Sequence, residues 1–137
     1  MIICAVFDTN VVVSGLLSRR PDSAVVQTLN ALLEGKVVLI YNEEILEEYE
    51  EVLHRDKFML PVEEVDAVLS YIKAKGIACN RVKTQEDFQD SDDIVFYEVA
   101  LSLEDALLVT GNTRHFPKNP IVVSPSEFLK ILDSATG

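Results

Sequence analysis

Residues 1–10 read MIICAVFDTN, and this stretch decides the fold. Met1–Phe7 is an unbroken apolar run rich in strand-forming side chains, and it stops at Asp8. Strict alternation would mark a strand with one wet face, whereas a continuous apolar run fits a strand buried on both. The rest of the chain supplies the covering. Asp22–Glu34 carries Val25, Val26, Leu29, Leu32 and Leu33 at helical spacing and closes at Gly35. Val37–Tyr41 is a second strand. Asn42 can cap a helix to about His54, and Pro61 opens another to about Lys75, ended by Gly76. Ile77–Cys79 is a third strand. Asp90 or Ser91 caps a helix to about Leu103. Ala106–Val109 and Ile121–Val123 are the fourth and fifth strands. Pro125–Leu132 closes the chain as a helix, with Ser124 at its N-cap. Short apolar strands alternating with helices predict an α/β fold, a parallel sheet covered by helices on both faces.

The 137 residues suit one domain spanning 1–137, at about 100–200 residues per domain. No repeat, low-complexity segment or Pro/Gly/Ser-rich linker divides them. A hydrophobic share of 48% excludes disorder and collagen-like structure. The longest apolar runs fall far short of the ~18 residues of a membrane span. The opening has no basic region that would mark a signal peptide, so a cytoplasmic protein without membrane attachment is expected. Cys4 and Cys79 lie apart, with no CxxC and no His nearby, and read as free thiols. Twelve Lys and Arg against 23 Asp and Glu give a net charge of −11. That count argues against a broad basic surface gripping nucleic acid.

In open parallel sheets, ligands bind beyond the carboxyl ends of strands, where strand order reverses. Asp8 leaves the first strand at such an end. Asp and Asn also form corners by bonding their own backbone, but the apolar Val11–Leu17 that follows is no ordinary solvated loop. In the second helix, Ile45, Leu46, Tyr49, Val52 and Leu53 share one arc. Glu43, Glu44, Glu47 and Glu51 point away from it, while Glu48 and Glu50 border its two edges, so either can carry an inward carboxylate. Asp90-Ser91-Asp92-Asp93 suits a helix start, where acids meet the positive dipole end. Asp92 and Asp93 also fall on or beside the apolar face of Phe96, Val99, Ala100 and Leu103, and Glu98 points out. The fourth strand ends in Thr110-Gly111-Asn112. His115, like His54, reads as a solvated or turn-satisfied side chain. Clustered carboxylates repel unless a cation neutralises them. Oxygen ligands without a His or Cys set suit Mg²⁺ or Mn²⁺, and such sites hydrolyse phosphodiesters.

These residues, in this order, resemble those of the PIN-domain family, named from the PilT N-terminus. The likeness spans nearly the whole chain. It rests on Asp8-Thr9-Asn10-Val11 after the first strand, Glu48 within Glu-Glu-Tyr-Glu-Glu-Val-Leu, Asp93 seven residues before Ala100, and Thr110-Gly111-Asn112. The ending through His115-Phe116 is similar to that of toxin components of toxin–antitoxin pairs. The resemblance implies a three-layer α/β/α sandwich with a central five-stranded parallel sheet, and a Mg²⁺- or Mn²⁺-dependent ribonuclease. It implies Asp8, Glu48 and Asp93 as catalytic metal-holding acids, chosen over Glu50 and Asp92, with Asn112 as a neutral ligand. Thr9, Asn10, Asp92 and Thr110 would orient them. It further implies an antitoxin protein as partner, and a homodimer.

The family usually has Thr-Gly-Asp where this chain has Asn112, which supplies an oxygen but no charge. That substitution weakens a second metal position. It also keeps open a PIN-like module that binds RNA or protein without cutting. An aspartyl phosphatase would want Asp-x-Asp where this chain has Asp8-Thr9-Asn10, and no glycine-rich phosphate loop is present. The charge is also uneven: Glu43–Asp66 holds ten acids against two bases. Arg19 and Arg20 follow the first motif, and Arg114 and Lys118 the fourth. They are the residues placed to meet RNA phosphates, in a small, metal-dependent and salt-sensitive contact.

Overall fold

The computed structural model describes residues 2–136. Met1, expected to begin the first strand, lies outside them, as does Gly137. The first strand is β1 (Ile3–Phe7), followed by α1 (Thr9–Leu17), α2 (Ala24–Leu33), β2 (Val37–Tyr41), α3 (Glu43–Leu53) and α4 (Val62–Lys75). Next come β3 (Ile77–Ala78), α5 (Ile94–Ala100), β4 (Leu107–Val109), β5 (Val122–Val123) and α6 (Pro125–Thr136). Single 3-10 turns occupy Asp56–Phe58, Ser91–Asp93 and Thr113–His115.

The five strands form one sheet in the order β3-β2-β1-β4-β5, parallel throughout. Ala5, Val6 and Phe7 are all fully buried. Successive strand side chains face opposite ways, so both faces of β1 are covered, as the apolar run requires. Helices α1, α2 and α6 pack together, as do α3 and α4, and α5 lies against β1, β2 and β4. Phe7 meets Phe128 of α6 edge-on at 5.9 Å. The α/β fold with a five-stranded parallel sheet is therefore the one the sequence implied.

Local chemistry sets the element ends. The Ser23 hydroxyl accepts from Val26 N–H at 3.3 Å, and the Asn42 carbonyl oxygen from Ile45 N–H at 2.9 Å. Ser124 and Glu127 cap α6 reciprocally: Glu127 N–H donates to Ser124 Oγ, and Ser124 N–H to Glu127 Oε1. Gly76 permits a close approach, because a Cβ there would lie 2.6 Å from the Ile72 carbonyl oxygen and 2.8 Å from that of Leu39.

Three sequence expectations are corrected, and Val11–Leu17, expected only to be no ordinary loop, proves helical, since burying Val11, Val12 and Val13 outweighs the weak helix propensity of β-branched residues. The helix after Asp90 stops at Ala100 rather than Leu103, because Ser102 tightens the end by bonding the Val99 carbonyl with both its N–H and its hydroxyl. The last helix runs beyond Leu132 to Thr136. Glu98, expected to point outward, is 6% exposed. Its carboxylate accepts Arg81 Nε–H and Thr84 N–H, each at 2.7 Å, and these bonds hold its pKa below the usual value against the cost of burial. They tie the connection after β3 onto α5. Cys4 and Cys79 are free thiols. Among the described residues, no helix is long and apolar enough to cross a membrane.

Candidate active site

Strand order reverses at β1, whose two neighbours are β2 and β4. The crevice rule places the site at their carboxyl ends. β1 delivers Asp8 there, and β4 delivers Thr110 beside it: Phe7 pairs with Val109, and Asp8 N–H continues the ladder to the Val109 carbonyl at 2.9 Å. Asp8 is 7% exposed and Thr110 fully buried. Asp8 Oδ2 accepts the Thr110 hydroxyl at 2.7 Å and Asn10 Nδ2–H at 3.2 Å. Thr110 Oγ1 also accepts Asn112 N–H at 3.0 Å, and Asn10 Oδ1 accepts Gly111 N–H at 3.3 Å. Asn10 and Thr110 thus lock the end of β1 to the turn carrying Asn112. Burial raises the Asp8 pKa, against the opposing bonds from Thr110, Thr9 and Asn10.

Helix α3 brings Glu48 to this corner. Glu48 is half-buried and accepts the Thr9 hydroxyl, whereas Glu50 is exposed. The reason lies one residue on: Tyr49 is fully buried, and its hydroxyl donates to the Phe7 carbonyl. That bond ties α3 to the end of β1 and so fixes which edge of the helix faces Asp8. Burial raises the Glu48 pKa, and the charges of Asp8 and Asp92 add to it.

Asp93 ends the Ser91–Asp93 turn and is half-buried, while Asp92 is exposed. Asp90 Oδ1 holds Asp92 N–H at 2.9 Å, which sets the turn. Burial, followed by the charges of Asp8 and Asp90, raises the Asp93 pKa to about 6.

Asp8, Thr9, Asn10, Glu48, Asp92, Asp93 and Asn112 line one cleft of about 410 Å³. Two further side chains line it that the sequence did not place there, Arg55 and His115. Arg55 lies past the end of α3 in extended backbone, so helical spacing gave no signal for it. His115 stands three residues past Asn112 and is exposed, as expected, and at the edge of the cleft it opposes the rise in the Asp8 and Asp93 pKa values. The four cations expected at phosphate lie elsewhere. Arg19 and Arg20 are exposed beyond α1, and Arg20 is paired with Asp22. Arg114 and Lys118 line a neighbouring groove.

Among the described residues, no three His, Cys, Asp or Glu side chains stand as a ready-made metal-enclosing set. Glu48 is turned onto Thr9, and Asp93 sits on its own turn. The donors nonetheless suit a hard cation. All are oxygens, and the charge of Asp8 adds to the rise in both the Glu48 and Asp93 pKa values, a repulsion that a cation removes. Mg²⁺ in particular binds through one or two carboxylates, with water and substrate phosphate completing the shell.

A parallel sheet whose strand order reverses at β1, covered by helices, defines the class of open, doubly wound α/β proteins. Within it the chain belongs to the PIN domain family, whose profile matches residues 4–114. PIN domains are commonly nucleases and generally use divalent metal ions. No curated protein and no solved structure matches the chain.

Proposed function

We propose that residues 1–137 form one PIN-like domain that hydrolyses RNA phosphodiester bonds as a Mg²⁺- or Mn²⁺-dependent endoribonuclease. The observation that carries this reading is the junction of Asp8, Glu48 and Asp93 in one cleft at the switch point, with Asp93 raised to about 6. Asp8, Asp93 and Glu48 would hold the metal, with Asn112 as a neutral oxygen donor. Bound there, the ion supplies a more acidic water and offsets charge on the phosphate. Without the ion Asp93 is raised to about 6, so taking up the metal would release a proton from it and leave a carboxylate that positions the attacking water. Thr110 and Asn10 hold Asp8 in one orientation, and Thr9 holds Glu48.

The toxin role, an antitoxin partner and a homodimer rest on the resemblance of Thr110–Phe116 to the toxin subgroup. The test is cleavage of mixed RNA with Mg²⁺ or Mn²⁺ by the wild type, Asp8→Asn and Asp93→Asn. Cutting by the wild type alone supports the reading, and equal behaviour of all three refutes it. A second reading, a PIN-fold module that binds RNA or protein without cutting, is favoured by the neutral Asn112 and by the lack of a ready-made metal set among the described residues.

A further inference from the structure

The Thr113–His115 turn separates two clefts. His115 lines the carboxylate cleft, while Thr113, Arg114 and Phe116 line a second groove of about 480 Å³, together with Lys118 and Glu127. The second groove lies toward β5, since Val122 is also in its wall. The charge changes sign across the turn. The first cleft carries five carboxylates, Asp8, Glu48, Asp90, Asp92 and Asp93, against Arg55, which is itself paired with Glu51 at 2.8 Å. The second carries Arg114 and Lys118 against Glu127, whose carboxylate is committed to Ser124 N–H at 2.8 Å. Among the described residues, neither Arg114 nor Lys118 is in an ion pair, whereas Arg20, Arg55 and Arg81 all are. Likewise, no described residue hydrogen-bonds the His115 ring.

We propose that the second groove is a subsite for the nucleotide next to the cut. A single-stranded RNA would cross the turn, with the His115 ring donating to a phosphate oxygen on the way and Arg114 and Lys118 holding the flanking phosphate. At about 410 and 480 Å³, each cleft has the volume of a small-molecule site, enough for one nucleotide. On a chain of net charge −11, this groove beside the acids is where an anionic polymer meets uncommitted cations. The inference rests on the RNA reading of the first cleft, and its test is separable from cleavage.

Binding of a fluorescent 12-nucleotide single-stranded RNA is measured by anisotropy in Mg²⁺, across a salt series, with Asp93→Asn introduced into every protein compared so that the strand stays intact. The double variant Arg114→Ala, Lys118→Ala is compared with the wild type and with Lys73→Ala, Lys75→Ala at the far end of α4. The expected result is about a tenfold loss of affinity for the groove variant and a log–log salt slope shallower by about 0.7, for the one flanking phosphate that the pair neutralises. His115→Ala should also weaken binding, while the α4 control binds as the wild type does. Unchanged binding by the groove variant, or an equal loss in the α4 control, overturns the subsite. Tight binding without cleavage by the wild type would leave the subsite standing and remove the nuclease reading.

Discussion

Thr110 is the side chain on which the corner depends most, and replacing it with valine tests that dependence. The change is nearly isosteric, so packing is kept and the hydroxyl alone is lost. In the wild type that hydroxyl donates to Asp8 Oδ2 at 2.7 Å and accepts Asn112 N–H at 3.0 Å. Asn112 is exposed, so water can replace the second bond. The first cannot be replaced so easily, because Asp8 is 7% exposed and Thr110 fully buried. A hydrogen bond to a charged group contributes about 1.5–3 kcal/mol. Thr110→Val should therefore cost about 2 kcal/mol at neutral pH, or about 6 °C in Tm for a domain of this size.

The loss should depend on pH, and its direction follows from Asp8. Burial raises the Asp8 pKa in the folded state. The ionised form is therefore disfavoured by folding, and stability associated with the protonated acid is lost as pH rises from the unfolded value through the folded one. The Thr110 hydroxyl reduces that loss by stabilising the carboxylate. The variant's deficit should be small at about pH 3, where Asp8 is protonated, and full at about pH 8. Thermal melts of wild type, Thr110→Val and Thr110→Ser in EDTA across this range make the measurement. A deficit of the same size at both ends, no deficit at neutral pH, or an equal deficit in Thr110→Ser would refute the reasoning.

Because Asp93 is raised to about 6 without the ion, Mg²⁺ binding should weaken as pH falls through about 6 with release of a proton, and Asp93→Asn should lose that pH dependence in a calorimetric titration. The same raised pKa means that folding favours protonated Asp93, so in EDTA Asp93→Asn should melt above the wild type at pH 8 and match it near pH 4. Saturating Mg²⁺ should raise the wild-type Tm, with about 2.7 kcal/mol expected at a hundredfold excess over Kd, and should leave Asp8→Asn nearly unmoved. Asn112→Asp adds a carboxylate to the cleft, so it should lower Tm in EDTA and tighten Mg²⁺ binding in a calorimetric titration. Tyr49→Phe strips a donor from the buried Phe7 carbonyl and should cost about 1–3 kcal/mol in denaturant unfolding.

The strands were legible because burial on both faces leaves a local mark, an unbroken apolar run, and Asp8 was legible because it ends such a run. The caps at Asn42 and Ser124 were equally readable, since each bonds an N–H three residues away. The inward edge of α3 was not. A helical wheel placed Glu48 and Glu50 on opposite borders of the apolar arc, and the choice depends on where Tyr49 anchors. Its partner, the Phe7 carbonyl, lies 42 residues earlier in the chain. Glu98 was misjudged for the same reason. Its helix position suggested solvent, but the chain after β3 folds over it and supplies Arg81 and Thr84.

The sequence by itself determined the order of strands and helices, the parallel class of sheet and the acid at the end of β1, because periodicity and capping act within a few residues. Only the tertiary structure decided what those acids meet. The Thr110–Asp8 bond joins residues 102 apart, and the Thr9–Glu48 bond residues 39 apart. The strand order that sets β4 beside β1 brings His115 and Arg55 to the same cleft, and turns Arg114 and Lys118 into the next one. Contacts at that range depend on which surfaces the whole core buries together, and no local pattern encodes them.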